Sequence, residues 1–212
     1  MSEYPYPAAL MFEDKHLANA RLLTNRLEIL PRLPQGGVFV EVGVAFGDFS
    51  ERVLEVCRPD RFIGIDLFDL HEHEMVFGHS RREIMGDLDH EQFFLNKVSR
   101  FAQAAEISTL RGDSVASLET LADESVDIFY VDADHTYEGV KRDLAALKSK
   151  VKPDGYIIFN DYAMYNHLCE DGALGVVQAA NEFIIENDYE ILYYAFQHQM
   201  FCDVAVRKIG AA

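Results

Sequence analysis

Asp132, Asp134 and His135 crowd into four consecutive positions after the apolar run Phe129-Tyr130-Val131, and Asn160-Asp161-Tyr162 follow a second apolar run, Tyr156 to Phe159. If those runs are neighbouring strands, their carboxyl ends lie about 5 Å apart. Oxygens of Asp132, Asp134, Asn160 and Asp161 would then converge. Such a set suits a hard divalent ion such as Mg²⁺, which takes few carboxylates and keeps waters for substrate oxygens to displace. A bound cation would lower the pKa of a substrate hydroxyl. Without one, the close acids repel one another or share a proton. His135 is the natural general base, since an imidazole ordinarily titrates near about pH 6.5 and can take up a proton at neutral pH. Asp134 competes for that role. Plainer roles stay open: Asp134 as a helix cap, Asp132 as an acceptor for backbone amides, Asn160 and Asp161 as a turn, and His135 as a packing residue. Tyr162 and Tyr165 stand where they could line an acceptor pocket.

A second constellation binds rather than reacts. Val38 to Val42 is an apolar run broken only by Glu41, then come Gly43 and Gly47, and then Asp48-Phe49-Ser50-Glu51. This reads as a buried strand, a glycine turn and a helix opened by an Asp48/Glu51 capping box. The glycine spacing lacks the G-x-G-x-x-G of a dinucleotide site, and Asp48 stands where a P-loop needs Lys. Instead, Glu41 at the strand end would repel an anion and attract a ligand carrying an ammonium and a sulfonium. That profile is S-adenosylmethionine. About 20 residues on, where open α/β nucleotide folds place a carboxylate on the ribose hydroxyls, Arg61 to Asp66 ends in an acid, and Asp66 is the expected ribose contact.

The pattern Glu41-x-Gly43-x-x-x-Gly47 resembles the first motif of class I S-adenosylmethionine-dependent methyltransferases. That resemblance implies an acid near the adenine amino group at Arg111-Gly112-Asp113-Ser114, where Asp113 fits; a plain cap for the helix from Ser114 is the alternative. The cofactor set is then Glu41, Gly43, Gly47, Asp66, Asp113, Ser114 and Asp132. The stretches Phe129 to Gly139 and Lys152 to Tyr162 look like the fourth and fifth strands of a small-molecule O-methyltransferase subgroup, the branch with macrolide-sugar O-methyltransferases and cephalosporin-hydroxylase-type proteins. The likeness runs from about Gly37 to Tyr162. Asp154-Gly155 replaces the usual Gly-Gly, and Asn160-Asp161 replaces Asp-Asp.

Strand and helix signals alternate, the pattern of a doubly wound α/β sheet. A leading helix is expected over His16 to Leu30 within a segment of about 8–30, with Leu17, Leu23, Leu27 and Leu30 on one side and Pro31 and Pro34 closing it. Strands are expected near 38–42, 62–66, 106–110, 126–131 and 156–159, with Pro153-Asp154-Gly155 as a turn. Helices are expected over about Tyr137 to Lys150 and Gly175 to Glu186. Tyr189 to Phe196 and Phe201 to Lys208, linked by Gln197 to Met200, form an antiparallel hairpin. The fold class is therefore a mostly parallel, seven-stranded Rossmann-like sheet in one domain. Residues 69–89, rich in charge and in His71, His73 and His79, read as a lid-like or substrate-facing insertion whose histidines are solvated rather than metal-bound.

The 212 residues carry 36 acids against 19 Lys and Arg, a formal charge of −17. Such a surface repels polyanions, so nucleic acid is excluded as a partner and a small-molecule acceptor is favoured. Cys57, Cys169 and Cys202 suggest neither a disulfide framework nor zinc. Neither a signal peptide nor a membrane-spanning run is read, so a cytoplasmic protein is expected, with a homodimer left open as its assembly. The expected activity is methyl transfer from S-adenosylmethionine to a hydroxyl, assisted by Mg²⁺. Its rivals are a metal-independent transferase using His135 as base and a cofactor-binding fold-alike; an NAD-dependent oxidoreductase is more distant, because the glycine spacing is wrong.

Overall fold

Val38 to Val42 alternate Phe39 and Glu41 against Val40 and Val42, and the two sets face different cores. Val40 and Val42 join a cluster containing Leu118, Val140, Leu144, Ala179 and Phe183. Phe39 joins another with Phe49, Val53, Phe62 and Phe94. A strand apolar on both faces must be covered on both, so helices wind onto each side of the sheet.

The computed structural model describes residues 4–168, 172–197 and 201–211. Cys169 and most of the expected 197–200 link lie outside the described residues. In chain order the elements are α1 (Asp14–Leu17), β1 (Arg21–Leu23), β2 (Val38–Val42), α2 (Asp48–Val56), β3 (Arg61–Asp66), β4 (Met75–Val76), β5 (His79–Ser80), α3 (Arg81–Met85), α4 (His90–Val98), β6 (Glu106–Arg111), α5 (Ser114–Glu119), β7 (Val126–Val131), α6 (Tyr137–Leu147), β8 (Val151–Phe159), α7 (Val176–Glu186), β9 (Tyr189–Phe196) and β10 (Cys202–Lys208). The main sheet has the order β1-β9-β10-β8-β7-β2-β3-β6. Strands β7, β2, β3 and β6 pair in parallel, β8 runs parallel to β7, and β10 is antiparallel to both β8 and β9. This is the expected Rossmann-like sheet with its antiparallel hairpin, extended to eight strands by β1.

That extra strand corrects the leading segment. In place of one helix over 16–30, the chain makes a single turn of α1, then β1, then short 3₁₀ turns at Arg26–Glu28 and Leu30–Arg32. Arg21 to Leu23 pair with Tyr193 to Ala195 of β9. The open edge of β9 supplies backbone partners that a helix would forgo. Asn25 then accepts the Leu27 amide at 3.0 Å and starts a new turn. Leu23 and Leu30 are buried, whereas Leu17 and Leu27 face solvent.

Smaller departures have equally local causes. The Pro153-Asp154-Gly155 turn is absorbed into β8 as an irregularity, with Val126 opposite Val151 and Ile128 opposite Tyr156. The insertion at 69–89 carries a 3₁₀ turn at Leu70–Glu72, the β4–β5 hairpin and α3. Among the described residues, no helix is long and apolar enough to cross a membrane.

Candidate active site

Strands β2 and β7 lie side by side with Val42 opposite Val131, and from them the chain continues outward in opposite directions across the sheet. Ligands of open α/β sheets bind beyond the carboxyl ends at such a switch point. A cavity of about 460 Å³ opens there, lined among others by Gly43, Asp66, Asp113, Ser114, Asp132 and Asp134.

The glycine turn is held open from three directions. Gly43 has φ +89°, and its amide donates to the Ile65 carbonyl at 2.8 Å. A Cβ there would collide with the Asp132 carbonyl, so only glycine lets β2 and β7 close on each other. Gly47, at φ +76°, is the N-cap of α2, and a Cβ on it would lie 2.9 Å from the Phe94 ring. The expected Asp48/Glu51 capping box is not formed: the left-handed Gly47 ends the turn, and Asp48 is already helical. Asp48 pairs with Lys97 and Glu51 with Arg100. The buried His90 ring holds the Ala45 carbonyl through Nε2 at 2.6 Å.

Asp66 serves this turn directly. Its Oδ2 accepts from Val44 N at 2.9 Å and Ala45 N at 3.2 Å, and its Oδ1 accepts from Phe68 N at 2.8 Å. Each carboxylate oxygen can take more than one hydrogen bond, so a ribose hydroxyl remains compatible. Asp113 caps α5 by accepting from Ala116 N at 3.0 Å while also lining the cavity. The Ser114 hydroxyl is committed to the buried Asp143, to which it donates at 2.5 Å.

Glu41 is placed otherwise than its charge implied. It is 1% exposed, and its Oε2 accepts from Ser50 Oγ at 2.6 Å, tying β2 to α2. It is not among the cavity-lining residues. Burial pushes its carboxyl up to about 8, against the lowering effects of Ser50 and Arg26, so much of the negative charge invoked to attract a cation is absent at neutral pH.

The acids and the imidazole at the ends of β7 and β8 divide into two groups. His135 Nε2 lies 3.5 Å from Asp132 Oδ1 and 3.9 Å from Asp161 Oδ2. Burial, then the Asp161 charge, holds Asp132 well above the usual carboxylate range. Burial also raises Asp161, which His135 and Arg26 pull back down. Asp161 sits at φ +47°, a strained backbone at the strand end.

Asp134 and Asn160 stand apart from that group. Asp134 Oδ1 accepts from Thr136 N at 2.8 Å, and its Oδ2 lies 4.0 Å from Arg142. Thr136, not Asp134, caps α6, accepting from Gly139 N at 3.0 Å. The buried Asn160 donates through Nδ2 to the Tyr130 hydroxyl at 3.0 Å and to Asp203 at 3.2 Å. In the expected Mg²⁺ set of Asp132, Asp134, Asn160 and Asp161, one Asp134 oxygen and the Asn160 amide nitrogen thus have other partners. Among the described residues, no group of three His, Cys, Asp or Glu side chains is placed to hold a metal ion.

Sequence reasoning missed the network beneath these acids. Arg26 donates to the Tyr130 hydroxyl at 3.1 Å with its guanidinium 5.0 Å from the Phe49 ring centroid, and Tyr130 donates to Asp203 at 2.8 Å. The signal available was Asp203, an acid inside the apolar run of β10. Arg26 gave none, because its role depends on where the leading segment runs. Tyr162 donates to Asn181, whose amide reaches the Leu10 carbonyl at 2.8 Å, so it fastens the amino-terminal segment to α7. Tyr165 is half exposed.

Comparison with known proteins gives the same outline. A family profile described as a methyltransferase domain matches residues 40–162. No curated protein sequence matches the chain. Among solved structures, a putative O-methyltransferase from Klebsiella pneumoniae superposes with TM-score 0.58 at 17% identity, covering 86% of this chain and 77% of that one. The pyocyanin biosynthetic protein PhzM gives 0.57 at 12% identity over 86% of this chain, which spans only 54% of PhzM. Aeropyrum pernix fibrillarin, solved with natively bound S-adenosyl-L-methionine, gives 0.53 at 13% identity, covering 82% and 67%.

Proposed function

The chain belongs to the methyltransferase-domain family, and from that premise we propose that it transfers a methyl group from S-adenosylmethionine to a hydroxyl of a small-molecule acceptor. The single observation that carries the chemistry is the His135 imidazole lying between Asp161 and Asp132, of which Asp132 lines the cavity together with Gly43, Asp66 and Asp113.

The His135 imidazole takes the acceptor's hydroxyl proton, and Asp161, whose carboxyl His135 and Arg26 draw back toward the ionised form, stabilises the imidazolium that forms. The oxygen attacks the sulfonium methyl in line; the carbon–sulfur bond breaks, and its electron pair stays on sulfur to leave S-adenosylhomocysteine. Alignment of the nucleophile about 3 Å from the methyl supplies a large share of the rate. Asp66 would hold the ribose, and Gly43, without a Cβ, lets the turn approach the nucleoside. No step is assigned to Mg²⁺, because among the described residues no group of three acids or histidines is placed to hold it.

The net charge of −17 supports a small, non-polyanionic acceptor rather than nucleic acid. The test is incubation with S-adenosylmethionine and a panel of hydroxylated small molecules, read by mass spectrometry. One acceptor should gain a single methyl group, and the gain should disappear in His135→Gln. Retained turnover in EDTA supports the imidazole as sole base; loss of turnover restored by Mg²⁺ overturns that part of the proposal. No binding of S-adenosylmethionine would overturn the whole.

A further inference from the structure

The insertion after β3 ends its hairpin in an arrangement that local preferences do not explain. Met75 pairs with Ser80 and Val76 with His79, leaving Phe77-Gly78 as a two-residue turn. Both carry positive φ, +49° and +81°. Such turns favour Asn-Gly, Asp-Gly or Gly-Gly, because a bulky side chain is strained in the left-handed region. Phe77 is also 71% exposed, the opposite of what burial of apolar surface favours. A residue that is costly in backbone and in solvation is held in place by its surroundings or serves a function.

Its surroundings are sparse and specific. The Phe77 ring meets Phe46, in the glycine turn, edge-on at 5.5 Å between centroids. Phe77 lines the same cavity as Asp66, and so does Leu67, itself 57% exposed. Two large, exposed apolar side chains thus line the same cavity as the acid proposed to hold the ribose. A flat, weakly polar ring entering there would take both out of water.

We propose that Phe77 is a binding residue for the cofactor's nucleoside, covering it from the hairpin side while Asp66 holds the ribose. This rests on the S-adenosylmethionine reading above. It adds a contact from outside the strand–turn–helix unit, and it gives the insertion a role in affinity.

Calorimetric titration of the intact protein with S-adenosylhomocysteine and with 5′-methylthioadenosine tests it, using wild type, Phe77→Gly, Phe77→Ala and Phe77→Tyr. Glycine relieves the positive φ, so Phe77→Gly removes the ring without straining the turn. Loss of one aromatic stacking partner predicts affinity about tenfold weaker for both ligands in Phe77→Gly and Phe77→Ala. Phe77→Tyr should stay near wild type, and the melting temperature of Phe77→Gly should not fall. Wild-type affinity in Phe77→Gly overturns the proposal while leaving the cofactor assignment intact. A loss confined to S-adenosylhomocysteine overturns it too, since the ring would then meet the amino-acid arm. Failure of wild type to bind either ligand overturns the cofactor reading itself.

Discussion

Asp66 at the end of β3 clamps the glycine turn through Val44, whose amide it holds at 2.9 Å. The carboxylate thereby fixes the backbone of the turn, and the residue also lines the cavity with acceptor capacity to spare. Positioning the turn is this side chain's work, and holding the ribose is the second role proposed for it.

Asp66→Asn should therefore fail in both respects. An amide can accept through its oxygen only, so either the Val44 and Ala45 contacts or the Phe68 contact is lost. Each lost bond to a charged acceptor costs about 1.5–3 kcal/mol. S-adenosylhomocysteine affinity should fall more than tenfold and the melting temperature should drop. Unchanged affinity would remove Asp66 from the binding site.

Replacing His135 separates binding from chemistry. His135→Gln keeps a polar side chain of similar reach but cannot take a proton, so kcat should fall about 10²- to 10⁴-fold. Titration should give an unchanged cofactor affinity. Turnover retained in His135→Gln would transfer the proton-accepting role to a carboxylate, with Asp132 and Asp161 the first to replace.

Arg26 supplies the positive charge that the buried acids face. Burial works to lower its pKa, but Tyr130, Asp203 and Asp132 outweigh it and hold the guanidinium charged. Burial in turn pushes Asp203 up to about 6, a rise that Arg26 and the Tyr130 hydroxyl limit. Arg26→Met should cost about 3–5 kcal/mol at neutral pH, because a buried carboxylate is left without its counter-charge. Below about pH 6 Asp203 takes up a proton, and the deficit should shrink. Chemical denaturation of Arg26→Met and of the double variant with Asp203→Asn checks this. A deficit that is independent of pH and unrescued by the second substitution would reduce Arg26 to a packing residue.

The parts of this protein legible in sequence are those governed by local pattern. Val38 to Val42, Val126 to Val131 and the β9–β10 hairpin announce themselves by apolar runs, and Gly43 by a strand end that needs close approach. What pattern misses is decided by partners distant in sequence. The leucines at 17, 23, 27 and 30 imitate a helical face, but the edge of β9 captures Arg21 to Leu23. Glu41 looks like a ligand contact until Ser50, nine residues on, takes its oxygen inward. Asn160 shares a strand end with Asp161 yet points to Asp203, because successive residues along a strand face opposite sides. Phe77 is invisible to pattern because its meaning lies in the cavity it lines.

Glu41 yields a prediction whose sign runs opposite to that of most acids. Its pKa rises from 4.5 to about 8 on folding, chiefly through burial. The folded protein therefore keeps a proton that the unfolded chain releases, so this group's contribution is greatest below 4.5 and is lost as pH climbs toward about 8. Glu41→Gln keeps the size and an acceptor for Ser50 but cannot ionise. Between about pH 5.5 and 8 the wild type should lose as much as about 3 kcal/mol more stability than the variant. Thermal melts across that range give the comparison. Curves that stay parallel would mean that Glu41 is ionised when folded, with Arg26 as its partner, and would restore it as a negative charge beside the glycine turn.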